Sequence, residues 1–218
     1  MKYKLVIFDF DGTIADTAEG ILDSHRYTLA AMERNVPSEN VLRGVIGAAL
    51  LEIYKKQFGF SENQAKRAVN IYRERYAESG IHKACLYPGI KDTLSELKRQ
   101  RYKIGIATLK AERFASYMLN KMGIFEYFDV ICGMDDSDEY TKARLLRKCC
   151  ALCGVDECEA VLVGDSDSDL NGSIEAKVDF IGVTYGFGFN PDSDYDFCTI
   201  HNAPELISCL EYNGSTNH

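Results

Sequence analysis

The sequence predicts an α/β protein, a doubly wound parallel sheet with an all-helical segment inserted just after its first strand, and three observations predict it. The run Leu5-Val6-Ile7-Phe8 is continuously apolar and ends in Asp9-Phe10-Asp11-Gly12-Thr13. A strand with no polar alternation is buried on both faces, as in the middle of a parallel sheet. Residues 15–84 carry helical periodicity and almost no strand signal. From residue 86 onward, short apolar runs alternate with helical stretches, the order that gives parallel strands joined by right-handed crossovers. The expected organisation is a Rossmann-like core from residues 1–14 and 85–218, carrying a helical cap from 15–84.

Composition narrows the partners. A chain of 218 residues is long enough for a core with a smaller companion. Its net charge of −8 argues against nucleic acid or an anionic membrane surface as a partner. No apolar stretch approaches membrane-spanning length, and the N-terminal run is too short for a secretory leader. The expected location is therefore the cytoplasm, with the eight cysteines as reduced thiols. Cys149, Cys150, Cys153 and Cys158 raise a zinc reading, but no second CxxC pair or nearby His completes a ligand set. Leu145, Leu146, Cys149, Leu152 and Cys153 instead fall at the spacing of a buried helical stripe.

In chain order, Ile14, Ala18, Ile21, Leu22, His25, Leu29 and Met32 make a first helical stripe, with His25 a partly buried packing residue. The segment 41–47 reads as a glycine-flanked loop with Arg43, and 50–58 as a helix stopped by Gly59. Ser61 and Gln64 form a capping box for a helix reaching about residue 79, with Ala65, Ala68, Val69, Tyr72 and Tyr76 inward. The core then follows as helix 90–100, strand 104–108, helix 111–122, strand 128–131, helix 141–153, strand 160–164, helix 169–177 and strand 180–183. Residues 196–200 suggest an edge strand and 204–210 a last helix, with a frayed tail from 211.

The strand ends hold the chemistry. Gly12 suits a turn whose backbone resists a Cβ, so Asp9 and Asp11 are expected at the carboxyl end of a central strand, where open α/β sheets bind ligands. Like charges that close demand a cation between them or a shared proton; the plainer alternative is an acidic turn capping a helix. A second strand delivers Thr108, another delivers Asp165 and Asp169, and Lys142 opens the helix before it. Carboxylates from separate strands suit Mg²⁺, a hard cation that takes oxygen ligands. Thr108 and neighbouring amides can donate to phosphate oxygens, and Lys142 supplies a compact positive charge.

These residues, quoted as Asp9-Phe10-Asp11-Gly12-Thr13-Ile14-Ala15-Asp16-Thr17 and Gly164-Asp165-Ser166-Asp167-Ser168-Asp169, resemble the first and last motifs of the haloacid dehalogenase superfamily. Leu86-Tyr87-Pro88-Gly89-Ile90 resembles the re-entry after the cap, and Val183-Thr184-Tyr185-Gly186-Phe187-Gly188 a stretch of phosphoglycolate-phosphatase-like members. The resemblance implies Asp9 as nucleophile, Asp11 as acid and base, and a Mg²⁺ held by Asp9, the Asp11 carbonyl and Asp165, with Asp169 in support. It implies Thr108, the Leu109 amide and Lys142 around the phosphoryl group. Leu109 stands where these phosphatases often have Asn, and Ala143 follows Lys142 where Pro is common; Lys148 is a weaker alternative lysine.

The implied activity is hydrolysis of a small phosphorylated metabolite by a monomer or homodimer. A sugar phosphomutase, a nucleotidase or a pyrophosphatase of the same superfamily are the alternatives, with a non-catalytic regulatory module a more distant one. Related β-phosphoglucomutases carry a His twelve residues after the nucleophile; here that position is Ile21, which favours hydrolysis over the mutase reading. Arg43 and Gly47 are the candidate substrate contacts from the cap, against a plain interhelical turn.

Overall fold

The computed structural model describes residues 2–135 and 140–215. The chain divides into two compact units, one from Met1–Asp16 with Leu86–His218 and the other from Thr17–Cys85. The first is built on a six-stranded sheet. Its strands are β1 (Leu5–Phe8), β4 (Lys103–Ala111), β5 (Val130–Met134), β6 (Ala160–Gly164), β7 (Asp179–Val183) and β8 (Cys198–Ile200), in the order β5-β4-β1-β6-β7-β8. Every pairing in it is parallel. Two-residue strands, β2 (Ala15–Asp16) and β3 (Cys85–Leu86), mark where the chain leaves and re-enters the core.

The order places the topological switch beside β1. The chain moves outward from β1 through β4 to β5, then crosses back to β6 on the other side. β1 is flanked on both edges and all four of its residues are buried, which explains its unbroken apolar run. Burying each large side chain there contributes roughly 1.5–3 kcal/mol.

Helices α5 (Ile90–Arg99), α6 (Glu112–Lys121), α7 (Lys142–Cys153), α8 (Asp167–Ala176) and α9 (Glu205–Ser215) complete this unit. Leu145, Leu146, Cys149, Cys150 and Cys153 of α7 pack with Leu5, Ile7 and Leu162 of the sheet. Leu152, assigned above to the buried stripe, is 64% exposed. It lies a hundred degrees from Cys153 around the helix, and Cys150 takes the inward place. Cys158 is exposed, away from that stripe.

Other boundaries differ from the sequence expectation. β5 starts later than expected because a 3-10 turn at Phe125–Tyr127 precedes it. Asp129 then spends both its backbone N–H and its carboxylate on the Ile104 peptide group, each at 2.8 Å. β4 runs past Thr108 to Ala111, and its pairing with β5 is irregular between Ala107 and Ala111. The last helix continues to Ser215 rather than fraying from residue 211, since propagating a formed helix needs one hydrogen bond per residue fixed. The rest of that expected tail, 216–218, lies outside the described residues.

The second unit is helical: α1 (Ala18–Ala31), α2 (Glu39–Arg43), α3 (Leu50–Glu52) and α4 (Glu62–Glu78). The segment read as a loop around Arg43 is therefore partly helix. The expected helix 50–58 is a single α-turn followed by a π-helical stretch, Ile53–Gln57, whose Ile53 and Tyr54 are both buried. The capping box on α4 forms as read, with the Ser61 N–H donating to Gln64 Oε1 at 3.0 Å and the Gln64 N–H to Ser61 Oγ at 3.4 Å.

Candidate active site

The chain leaves β1 through a tight turn, with the Ile14 and Ala15 N–H groups both donating to the Phe10 carbonyl at 3.0 and 3.1 Å. Gly12 sits in that turn at φ +83, and a Cβ on it would lie 2.2 Å from Asp165 Oδ2. A glycine is needed there on both counts. From the other side Gly186 closes in, where a Cβ would lie 2.4 Å from the Asp165 Cβ. Asp165 is thereby fixed: the Phe187 N–H donates to Oδ2 at 2.7 Å and the Thr13 hydroxyl to Oδ1 at 3.4 Å. The stretch 183–188 thus reaches the acidic strand ends, which its sequence alone did not disclose.

Asp169 is held by the helix that it helps to start. Ser166 is the N-cap of α8, and Asp169 returns the bond as third residue of a capping box. Its Oδ2 accepts from the Ser166 hydroxyl at 2.7 Å and N–H at 3.2 Å, while Oδ1 lies 2.7 Å from Lys142 Nζ. Lys142 is the first residue of α7, whose N-cap Thr141 accepts from the Arg144 N–H. Its ammonium also reaches Asp9 Oδ1 at 2.7 Å and the Ala107 carbonyl at 3.0 Å. Gly172 of α8 admits the lysine stem, since a Cβ there would lie 2.5 Å from Lys142 Cγ. Lys148, the alternative lysine, is half-exposed and pairs with Glu112.

Oxygens of Asp9, Asp165 and Asp169 lie within 4.8 Å of one another, all buried. Among the described residues, the Lys142 ammonium pairs with two of these three carboxylates, Asp9 and Asp169. The crowding registers in proton affinity. Burial pushes Asp9 up to about 6, with Lys142 opposing and Asp169 and Asp11 adding to the rise. Burial, then the charges of Asp169 and Asp9, pushes Asp165 up to about 8. For Lys142, burial works against its charge, yet the Asp169 and Asp9 carboxylates hold it above its ordinary value. Carboxylates crowded until they compete for protons fit a divalent cation, and an all-oxygen donor set favours a hard one.

Asp11 lies apart from that set. Its carboxylate is gripped by Lys110, whose Nζ lies 2.8 Å from Oδ1 and 3.0 Å from Oδ2. Lys110 was not a sequence candidate; it stands at the irregular end of β4, where an offset re-aims side chains next to a site. Thr108 is buried, its oxygen accepting from the Lys110 N–H at 3.2 Å, which leaves its own proton to donate. Leu109 is partly buried against the apolar cluster. Arg43 and Gly47 belong to the helical unit, where Arg43 pairs with Glu39 at 3.0 Å and Gly47 has φ +86.

Comparison with known proteins places the chain. A model of haloacid dehalogenase-like hydrolases matches residues 6–183. A 5'-nucleotidase of Pseudomonas aeruginosa is 32% identical over 189 residues, covering 86% of each chain. A phosphoglycolate phosphatase of Mesorhizobium japonicum is 26% identical, covering 95% of this chain and 98% of its own. The crystal structure of a predicted phosphatase from Clostridium acetobutylicum superposes with a TM-score of 0.90 at 28% identity, covering 97% of this chain and all of that one. The acidic ends of β1 and β6 fall within the matched span, and the chain belongs to the haloacid dehalogenase-like hydrolases.

Proposed function

We propose that the protein is a Mg²⁺-dependent phosphatase that hydrolyses a small phosphomonoester through an aspartyl-phosphate on Asp9. The observation that carries the reading is the pair of carboxylates leaving the central strand, Asp9 beside the Asp165–Asp169 cluster and Asp11 held separately by Lys110. Asp9, the Asp11 carbonyl and Asp165 would hold the ion, Asp169 would support it, and bound Mg²⁺ would offset charge on the phosphoryl oxygens.

Each remaining step belongs to the chain's own residues. An Asp9 carboxylate oxygen attacks phosphorus, and the P–O bond to the leaving alcohol breaks as Asp11, entering this step in its protonated form with one oxygen released from Lys110, gives the leaving oxygen that proton. Asp11, now a carboxylate, takes a proton from water as the water oxygen attacks phosphorus and Asp9 departs. The Thr108 hydroxyl, the Leu109 N–H and the Lys142 ammonium hold the phosphoryl oxygens, with Lys142 exchanging one of its present partners for phosphate. The mutase alternative asks for an imidazole in place of Ile21; the nearest, His25, is buried with its Nδ1 3.1 Å from the Tyr54 hydroxyl oxygen.

Relatives named 5'-nucleotidase and phosphoglycolate phosphatase both match most of this chain, and their names point to different phosphomonoesters. The substrate class read here is accordingly the small phosphomonoester, with Arg43 and Gly47 as candidate contacts to the leaving group. Among the described residues no helix is long and apolar enough to cross a membrane; a cytoplasmic location is part of this proposal. The test is phosphate release from a panel of nucleoside monophosphates, phosphoglycolate and sugar phosphates. Release should need Mg²⁺, stop with EDTA, and require no bisphosphate activator. Full activity in chelator, or isomerisation of glucose 1-phosphate with little free phosphate, would overturn it.

A further inference from the structure

We propose that Lys110 is a positioning residue that keeps the Asp11 carboxylate out of the metal cluster and so reserves it for proton transfer; this rests on the phosphatase reading. Asp11 follows Asp9 by two residues across the bend at Phe10 that leaves β1, and its charge is near enough to add to the rise in Asp9's proton affinity. Its carboxylate would therefore have the ion of the neighbouring cluster within reach. A hard divalent cation gathers whatever carboxylate oxygens it can. An Asp11 carboxylate recruited as a ligand would be turned toward the ion and away from the leaving oxygen and the attacking water.

The geometry supplies a competitor for it. Lys110 Nζ grips both Asp11 oxygens, and the two side chains are only 6% and 9% exposed, so the pair is poorly screened. The ammonium also lies 5.6 Å from the centre of the Phe10 ring, which sits between the two aspartates in sequence. Each aspartate beyond β1 thus pairs with a different lysine, Asp9 with Lys142 and Asp11 with Lys110. Asp11 is accordingly outside the set of Asp9, Asp165 and Asp169 oxygens.

The experiment is a double-mutant cycle on the full chain, read by Mn²⁺ alone, with free Mn²⁺ followed by electron paramagnetic resonance. Lys110→Met should tighten Mn²⁺ binding by about tenfold, equivalent to one added ligand contact of about 1.4 kcal/mol. In the Asp11→Asn background the same change should leave affinity unaltered, because no carboxylate remains to be recruited. Lys110→Arg should bind Mn²⁺ like the wild type. Lys110→Gln serves as a second neutral variant, and circular dichroism checks that each is folded. In turnover, Lys110→Met should lower kcat by roughly 10²-fold with KM little changed, the loss of proton transfer alone. Equal tightening in both backgrounds would mean simple removal of a positive charge and would overturn the proposal, as would no tightening at all. A wild type that releases phosphate from no ester would sink the phosphatase reading, while the Mn²⁺ cycle would still decide the role of Lys110.

Discussion

Around the exit of β1, Asp9, Asp165 and Asp169 are buried as ionisable carboxylates beside the Lys142 ammonium, whereas in the helical unit His25 is buried among tyrosine rings. There His25 lies against Tyr72 at 4.7 Å between ring centres and meets the Tyr54 hydroxyl at 3.1 Å. Tyr54 stacks on Phe60 and Tyr72 on Tyr76, and the Ser24 and Thr28 hydroxyls turn back onto carbonyls of their own helix. His25, Tyr54, Ser24 and Thr28 thus meet one another or their own helix as uncharged groups. The acidic cluster instead crowds carboxylates, and burying like charges together opposes folding. Such an arrangement is explained by what it binds rather than by what it stabilises.

The largest test of that contrast is Asp9→Asn. Phosphatase turnover should fall roughly 10⁴-fold or more, because the amide keeps the shape but cannot attack phosphorus. The fold should not suffer. Asp9 has its proton affinity raised by burial, so its charge weighs against the native state, and removing it should leave the metal-free melting temperature unchanged or higher. A folded variant with wild-type turnover would end the nucleophile assignment. A large drop in metal-free melting temperature would mean the acidic cluster is structural.

The second test puts the helical cluster under acid. Burial holds the His25 imidazole far down, at about 3, against an ordinary value near 6.5. The unfolded chain binds a proton through that interval and the native state does not, so the stability from neutral His25 is complete above about pH 6.5 and is lost as pH falls toward 3. At pH 5 the loss relative to pH 7 is about 2 kcal/mol. Urea melts of wild type and His25→Gln between pH 7 and 4 read it directly. The variant starts less stable but should lose less with acid; parallel curves would mean His25 is not buried neutral.

The same contrast decides what was legible in the sequence. Carboxylates at the ends of apolar runs are a dense local signal, and Asp9 and Asp165, which the structure brings together with Asp169, stood out for that reason. Lys110 did not, because its meaning depends on an irregular β4–β5 pairing that moves the strand end beyond Thr108. The partners of His25 were equally hidden, since Tyr54 and Tyr72 come from separate segments with no characteristic spacing. Periodicity found α7 but misassigned Leu152, because residues three apart can share a face while only one of them lies under the sheet. Gly172 carries no local signal, and Gly186 stood out only as part of the 183–188 stretch. Only the packed structure reveals the side chains they make room for.

The finest test uses a device that the two units share. Ser61 with Gln64 and Ser166 with Asp169 are the same capping box, one opening α4 and the other α8. As a cap, each serine satisfies a backbone donor that the helix cannot, and replacing it by Ala costs about 1 kcal/mol. Ser61→Ala should therefore lower the melting temperature and do nothing else, since Gln64 has no role in the acidic cluster. Ser166→Ala should cost similar stability and also loosen Asp169, whose Oδ2 depends on the Ser166 hydroxyl at 2.7 Å while its Oδ1 meets Lys142. Partners that orient a metal-site carboxylate typically matter by 10- to 100-fold in affinity, so Mn²⁺ binding in Ser166→Ala should weaken by about tenfold. Equal Mn²⁺ affinities in the two variants, at comparable losses of stability, would mean that the α8 box is only a helix cap and that Asp169 is positioned by Lys142 alone.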